Sequence, residues 1–181
     1  MSPQKLSRIS QHMSTASLFI IIFMLGFNSL FWIFPSLLSD SGGYGLTAQM
    51  MGLTNFEMLP WWKITGGIIL SGIPLVSLSY GLYQLRVLFH TYSKGDYFST
   101  NAARLLGSVG KSIIIWILLN ILCEPLLSYW LTFQEPIGNR VIFISIDFQY
   151  IAAVFFAFCV ILISEILKKA SVINAENQQI I

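Results

Sequence analysis

Charged residues are scarce in this chain. Of its 181 residues only 10% are Asp, Glu, Lys or Arg, whereas 55% are hydrophobic, and the mean hydropathy is +0.72. A soluble domain usually carries about a quarter charged residues. Most of the surface must therefore face something other than water, and the ordinary alternative is the lipid bilayer. The formal net charge of +2 is also too small to indicate direct binding of nucleic acid.

Residue types that build catalytic and metal centres are also few. The two cysteines, Cys123 and Cys159, lie inside apolar runs without the spacing of a zinc site or a disulfide framework. The two histidines, His12 and His90, stand far apart in polar flanks, and no hydrolase or phosphate-binding motif is present. The sequence therefore predicts a non-enzymatic protein without catalytic residues, a cofactor or a metal.

Four long apolar runs occupy much of the chain. Each predicts a transmembrane helix, because about 20 apolar residues cross the hydrocarbon core. Pro74 lies inside the second run and predicts a kink, since a bilayer keeps such a segment helical. We expect one membrane domain over residues 1–181, folded as an all-α bundle of four transmembrane helices. The predicted spans are about 16–38, 64–88, 109–131 and 146–167, with a loop at 89–108.

Lysine and arginine residues set the predicted orientation. On the side opposite the amino terminus the flanks carry only Lys63 and Arg140. Cationic residues in short loops stay in the cytoplasm, so both termini and the loop 89–108 are predicted to be cytoplasmic, in an inner cell membrane. On that side lie eight cationic residues: Lys5, Arg8, Arg86, Lys94, Arg104, Lys111, Lys168 and Lys169.

The connections differ in how much they reveal. The outer loop 39–63 contains a glycine-rich turn at 42–45. The outer connection 132–146 has a turn signal at 135–139, and the residues after it are apolar on both faces. A small extracytoplasmic β-hairpin and a plain lead into the fourth helix both fit this pattern.

The inner loop carries clear signals for a helix end and a helix start. Gly95 predicts that the second helix ends near Ser93. Ser99 or Thr100 then offers a hydroxyl group that caps a new helix, which restarts near Asn101.

This loop also carries a family resemblance. Residues 92–99, Tyr-Ser-Lys-Gly-Asp-Tyr-Phe-Ser, followed by Arg104, resemble the central signature of the DUF2975 family. The stretch 164–170 and the Glu-Asn pair at 176–177 are similar to the family's ending, so the resemblance is strongest from about residue 82 to 178. It implies a small four-helix bacterial membrane protein of unknown activity. It also implies a short cytoplasmic helix-turn-helix regulator as the partner.

Three polar residues at membrane depth form a candidate interior site. Glu124 follows Asn120 by four residues in the third span, so both occupy one helix face, and Asn28 lies at a similar depth in the first span. A charge there costs at least about 2.5–3.5 kcal/mol, which makes it a functional candidate. The site either binds a cation or ligand, or it holds a neutral Glu124 whose hydrogen bonds fix helix pairing.

Small residues four apart in the second span favour a close helix neighbour. The pairs are Gly67 with Ser71 and Ser77 with Gly81. That neighbour is either another helix of the same bundle or a second copy of the chain in a homo-oligomer.

Our main hypothesis is a regulatory or signal-sensing membrane protein whose cytoplasmic face binds a partner. The alternatives are a small transporter or channel component built on Asn28, Asn120 and Glu124, and an immunity-type membrane protein without a cytoplasmic partner. The predicted partner surface comprises Lys94, Gly95, Asp96, Phe98, Arg104, Lys168 and Lys169.

Overall fold

The computed structural model of the protein describes residues 3–34, 59–136, 138–144 and 148–179. Four helices follow one another along these residues, and each is long and apolar enough to cross a membrane. This confirms the prediction of an all-α fold with four apolar spans. The helices are α1 (Pro3–Ile33), α2 (Trp61–Ser93), α3 (Thr100–Thr132) and α4 (Phe148–Gln179).

Large apolar side chains cover the outside of the helices. Phe23 on α1 is 68% exposed and Phe156 on α4 is 67% exposed, and many isoleucines and leucines resemble them. Apolar surface on this scale is rare on a soluble monomer. It is the ordinary surface of a helix in lipid, whose backbone satisfies its own hydrogen bonds. Both α2 and α3 continue through their interior prolines, Pro74 and Pro125, as helices.

The described residues form two compact units. The first is built from Met1–Ile22, Ser77–Ile115 and Phe148–Ile181, and the second from Phe23–Val76 and Trp116–Asp147.

In the first unit, α3 approaches α4 where α3 carries small residues. A Cβ added to Gly110 would lie 2.6 Å from Ile161 Cγ1 and 2.9 Å from the carbonyl oxygen of Ala157. Ser164 on α4 donates a buried hydrogen bond of 2.8 Å to the carbonyl oxygen of Ala103. Without a hydrophobic force between helices in lipid, such close backbone contact and interhelical hydrogen bonds hold them together.

Serines join α1 to α2 in the same unit. Ser7 Oγ donates to the carbonyl oxygen of Ser93 at 2.7 Å, and Ser14 Oγ donates to that of Arg86 at 3.2 Å. The donors and the acceptors are each seven residues apart and run in opposite directions, so this contact is an antiparallel seam. Ser10 and Ser17, both buried, lie on the same face of α1 as Ser7 and Ser14.

In the second unit, Trp32 is the central side chain. It is 1% exposed and packs with three buried residues of α3, namely Cys123, Leu127 and Leu131. Its indole Nε1 donates to Ser71 Oγ at 3.0 Å. Partly buried residues of α2 and the α3–α4 connection complete the cluster, among them Ile64, Ile68, Leu70 and Phe143.

Both small-residue pairs of α2 contact a neighbouring helix of the same chain. Gly67 lies beneath the Trp32 ring of α1, where an added Cβ would come within 2.5 Å of the ring. Gly81 faces Ser112 of α3, which also receives a 3.2 Å hydrogen bond from Ser77 at its carbonyl oxygen. The structure therefore explains the spacing by close approach within the chain.

The α3–α4 connection begins with the predicted turn. The N–H of Asn139 donates to the carbonyl oxygen of Pro136 at 3.0 Å, and Gly138 has a φ of +118°. Glycine is favoured at this third turn position because it adopts positive φ without a steric cost.

The residues after the turn bind the side of α3. Val141 N–H donates to Thr132 Oγ1 at 3.2 Å, and Phe143 N–H donates to Ser128 Oγ at 2.9 Å. Amide groups two residues apart in an extended chain face the same way about 6.6 Å apart. Hydroxyl groups four residues apart on a helix are separated by about 6 Å along its axis, so the two spacings match.

No strand occurs among residues 138–144. The amide groups of Val141 and Phe143 donate to hydroxyl oxygens of α3 and not to the backbone of a second strand. The remainder of the connection, 145–147, and most of the predicted outer loop, 35–58, lie outside the described residues.

Candidate functional site

The loop between α2 and α3 has the geometry that its sequence predicts. Helix α2 ends at Ser93. The amide groups of Lys94 and Gly95 then donate to the carbonyl oxygens of Thr91 and Tyr92, at 3.1 and 3.0 Å. Gly95 has a φ of +87°, a left-handed conformation that costs other residues about 1–2 kcal/mol. The glycine therefore ends the helix and turns the chain.

Ser99 is the residue that caps α3. Its Oγ accepts a 3.1 Å hydrogen bond from the N–H of Ala102, and its carbonyl oxygen accepts one of 3.1 Å from Ala103. This is the pattern of an N-cap residue. Thr100, the alternative cap, is the first residue of the helix, and its hydroxyl bonds to Ser171 of α4 at 3.0 Å.

Two aromatic residues of the loop have opposite environments. Tyr97 is half-buried and its ring lies 5.9 Å from that of Tyr92, which anchors the loop to the end of α2. Phe98, the next residue, is 69% exposed. The packing of the loop therefore leaves one large apolar side chain directed outward.

The basic part of α4 lies beside this loop. Ser171 of α4 binds Thr100, and Ser164 binds the carbonyl oxygen of Ala103, so α4 contacts the first turn of α3 at two points. The predicted partner residues thus belong to one end of the first unit, and we call them the loop–tail surface. It consists of Lys94, Gly95, Asp96, Phe98, Arg104, Lys168 and Lys169, all exposed.

Charge on the loop–tail surface is predominantly positive. It carries four cationic side chains, those of two lysines on α4 and of Lys94 and Arg104, against the single carboxylate of Asp96. A predominantly positive surface that includes an exposed phenylalanine suits a partner with acidic and apolar side chains.

Two of the three interior polar residues are buried, and the third, Asn28, is partly buried. On α3, Glu124 is fully buried and Asn120 is 5% exposed, on one helix face. Asn120 donates from Nδ2 to the carbonyl oxygen of Trp116, one turn earlier in its own helix, at 2.9 Å. The amide group therefore satisfies a carbonyl group of its own helix.

Asn28 bonds to α2. Its side-chain oxygen lies 3.1 Å from Ser71 Oγ, which also lies 2.7 Å from the carbonyl oxygen of Gly67. Ser71 has one hydroxyl hydrogen, which these two oxygens share, and it accepts the indole N–H of Trp32. The hydrogen bonds of Asn28 thus join α1 to α2 within the second unit.

Sequence reasoning missed the role of Lys63. This residue counted only as a cationic flank, yet it is 5% exposed and its Nζ donates to the carbonyl oxygen of Leu131 at 2.8 Å. The ammonium group also lies 5.7 Å from the Trp62 ring and 5.8 Å from the Phe133 ring. It caps the carboxyl end of α3, where the helix dipole favours a cation. The signal that the sequence offers for this role is the position of the lysine directly after two aromatic residues, Trp61 and Trp62.

Among the described residues, no three His, Cys, Asp or Glu side chains form a group that could hold a metal ion. Cys123 and Cys159 are free thiols.

Comparison with known proteins identifies a family that the chain matches. The family described as "Protein of unknown function (DUF2975)" matches residues 11–181, which confirms the resemblance seen in the loop and the carboxy-terminal segment. No curated protein and no solved structure matches the chain.

Proposed function

We propose that this chain, which belongs to the DUF2975 family of unknown function, is a regulatory or signal-sensing membrane protein and not an enzyme. Its four helices cross the inner membrane with both termini and the α2–α3 loop in the cytoplasm. The loop–tail surface binds a cytoplasmic partner, for which the family resemblance suggests a short helix-turn-helix regulator.

The hydrogen bond between Thr100 and Ser171 carries this proposal. It holds the first turn of α3, which directly follows the loop, against the segment of α4 that carries the lysines. This proximity supports a binding surface shared by two segments far apart in sequence. Phe98 projects from that surface at 69% exposure. An exposed apolar residue supplies a contact that excludes water, and the cationic residues of the same surface supply steering and specificity.

The interior polar residues support the same interpretation. The amide groups of Asn28 and Asn120 bond to Ser71 and to the Trp116 carbonyl oxygen, respectively. These are contacts that stabilise helices and helix pairs. The transporter alternative therefore depends chiefly on Glu124, a fully buried carboxyl group.

Co-purification tests the partner surface. The full-length protein is expressed in its native membrane and isolated with a tag, and any helix-turn-helix protein that co-purifies with it is identified and quantified. Phe98→Ser and Arg104→Glu should each reduce its recovery at least about tenfold, the effect of about 1.4 kcal/mol at one contact. Arg140→Glu is the matched control, because this exposed arginine lies in the other unit.

Two results would contradict the proposal. One is full recovery of the regulator with Phe98→Ser. The other is a cellular phenotype lost in Glu124→Gln and intact in both loop variants, which would favour the transporter alternative.

A further inference from the structure

Two grooves lie along the α1–α2 seam. The serines of the seam are small, so α1 and α2 are joined without large side chains filling the space beside them. A groove of about 220 Å³ is lined by Ser14, Tyr83, Arg86, Val87 and His90. We call it the seam groove. A second groove, of about 400 Å³, lies further along the same two helices and includes Arg8 and Lys94 in its lining.

Cationic side chains line the grooves without an acidic counterpart. No carboxylate is among the described residues that line either groove. Within the described ranges, the guanidinium group of Arg86 and the imidazole ring of His90 have no hydrogen-bond or ion-pair partner. The donors in the seam groove are therefore available to an anion.

The seam groove lies where both of its helices leave the apolar region. On α2 Arg86 is the first charged residue after Lys63, close to the end of the predicted span 64–88, and on α1 the apolar run begins at Ala16, two residues after Ser14. The hydrogen bond from Ser14 to the Arg86 carbonyl oxygen shows that these two boundaries coincide in space. Because the apolar run matches the hydrocarbon thickness, this level is that of the lipid headgroups.

The other residues that line the seam groove also suit the level of the lipid headgroups. Tyr83 is 51% exposed and precedes Arg86 by one turn, at the place where aromatic rings gather at a membrane interface. Val87 adds an apolar contact. From the apolar side to the polar side, the groove thus offers an aromatic ring, a guanidinium group and an imidazole ring.

We propose that the seam groove binds the phosphate group of an anionic phospholipid. Arg86 donates to the phosphate oxygens in the forked geometry that guanidinium groups provide, and His90 and Ser14 lie beside the headgroup. Tyr83 and Val87 contact the glycerol and the first acyl carbons. Basic pockets between transmembrane helices are known sites for such headgroups. This site is independent of the loop–tail surface.

The number of phospholipids that the purified protein retains tests whether the seam groove binds lipid. The detergent-purified protein is placed in nanodiscs with phosphatidylglycerol and phosphatidylethanolamine, released in a mass spectrometer, and its bound lipids are counted. The wild type should retain phosphatidylglycerol preferentially. Arg86→Gln should lower that retention about fivefold, the effect of one cation near an anionic surface, and His90→Gln should lower it less.

The matched control is Lys111→Gln. Lys111 is exposed, lies close to the start of the predicted span 109–131, and lines neither groove. It should retain lipid as the wild type does. Arg86→Lys keeps a charge and should lose less than Arg86→Gln, which separates binding from any folding defect.

Three outcomes would overturn the proposal. Equal loss in Lys111→Gln and Arg86→Gln would show a general charge effect. Unchanged retention in both Arg86→Gln and His90→Gln would show that the groove does not bind lipid. Displacement of the lipid by millimolar inorganic phosphate would assign the groove to a soluble phosphate compound.

Discussion

Two glycines of α2 are expected to respond in opposite ways to alanine. An added Cβ at Gly67 would lie 2.5–2.7 Å from three atoms of the Trp32 ring, whereas one at Gly72 meets nothing within 4 Å. Trp32 is 1% exposed and hydrogen-bonded to Ser71, so the ring has no free space into which it can rotate. Gly67→Ala must therefore displace the ring or the helix.

Three contributions determine how Gly67→Ala changes the free energy of unfolding. Overpacking costs about 1–3 kcal/mol, and losing the indole hydrogen bond costs about 0.5–1.5 kcal/mol. Replacing glycine in a helix returns up to about 1 kcal/mol. We expect Gly67→Ala to lower the free energy of unfolding by about 0.5–4.5 kcal/mol. Gly72→Ala has no opposing contact, so it should leave that free energy unchanged or raise it by up to about 1 kcal/mol.

Unfolding by sodium dodecyl sulfate from mild detergent micelles, followed by circular dichroism, compares the two variants. Both proteins must first show the wild-type helix content and elution volume. If Gly67→Ala unfolds at the same fraction of sodium dodecyl sulfate as Gly72→Ala, or at a higher one, the Trp32 ring does not pack tightly against Gly67 of α2.

Three further predictions concern other contacts. Ser99→Ala should lower stability by about 1 kcal/mol through loss of the α3 cap, and Ser99→Asp should restore it, in the same unfolding assay. Gly110→Ala should cost about 1–3 kcal/mol at the α3–α4 contact, while Gly26→Ala, which meets nothing within 4 Å, should not destabilise. Thr132→Val should speed hydrogen exchange at the amide group of Val141, which loses its acceptor; an unchanged rate would show that another group protects it.

Features that depend on neighbouring residues could be predicted from the sequence. The apolar runs predict four spans because hydrocarbon permits few other structures. Gly95 and Ser99 predict the loop because helix ends are determined within a few residues of the end. Four long apolar helices confirm the first prediction, and the ends of α2 and α3 confirm the second.

Features that depend on distant partners could not be predicted. Lys63 finds its acceptor 68 residues away, and Ser14 finds its acceptor 72 residues away. The heptad spacing of the α1 serines is visible in the sequence, but spacing alone does not identify the helix that they face. The apolar residues after Gly138 fit a hairpin equally well, because their binding to α3 hydroxyls depends on the tertiary fold.

Site-directed labelling tests the orientation on which the proposed function depends. Single cysteines are introduced by Lys94→Cys, Lys169→Cys and Arg140→Cys, all at exposed positions, in a chain whose two native cysteines are replaced by alanine. A membrane-impermeant maleimide added to intact cells should label only the Arg140→Cys variant, and the other two should react only after the membrane is opened. Labelling of Lys94→Cys and Arg140→Cys from the same side would contradict the account.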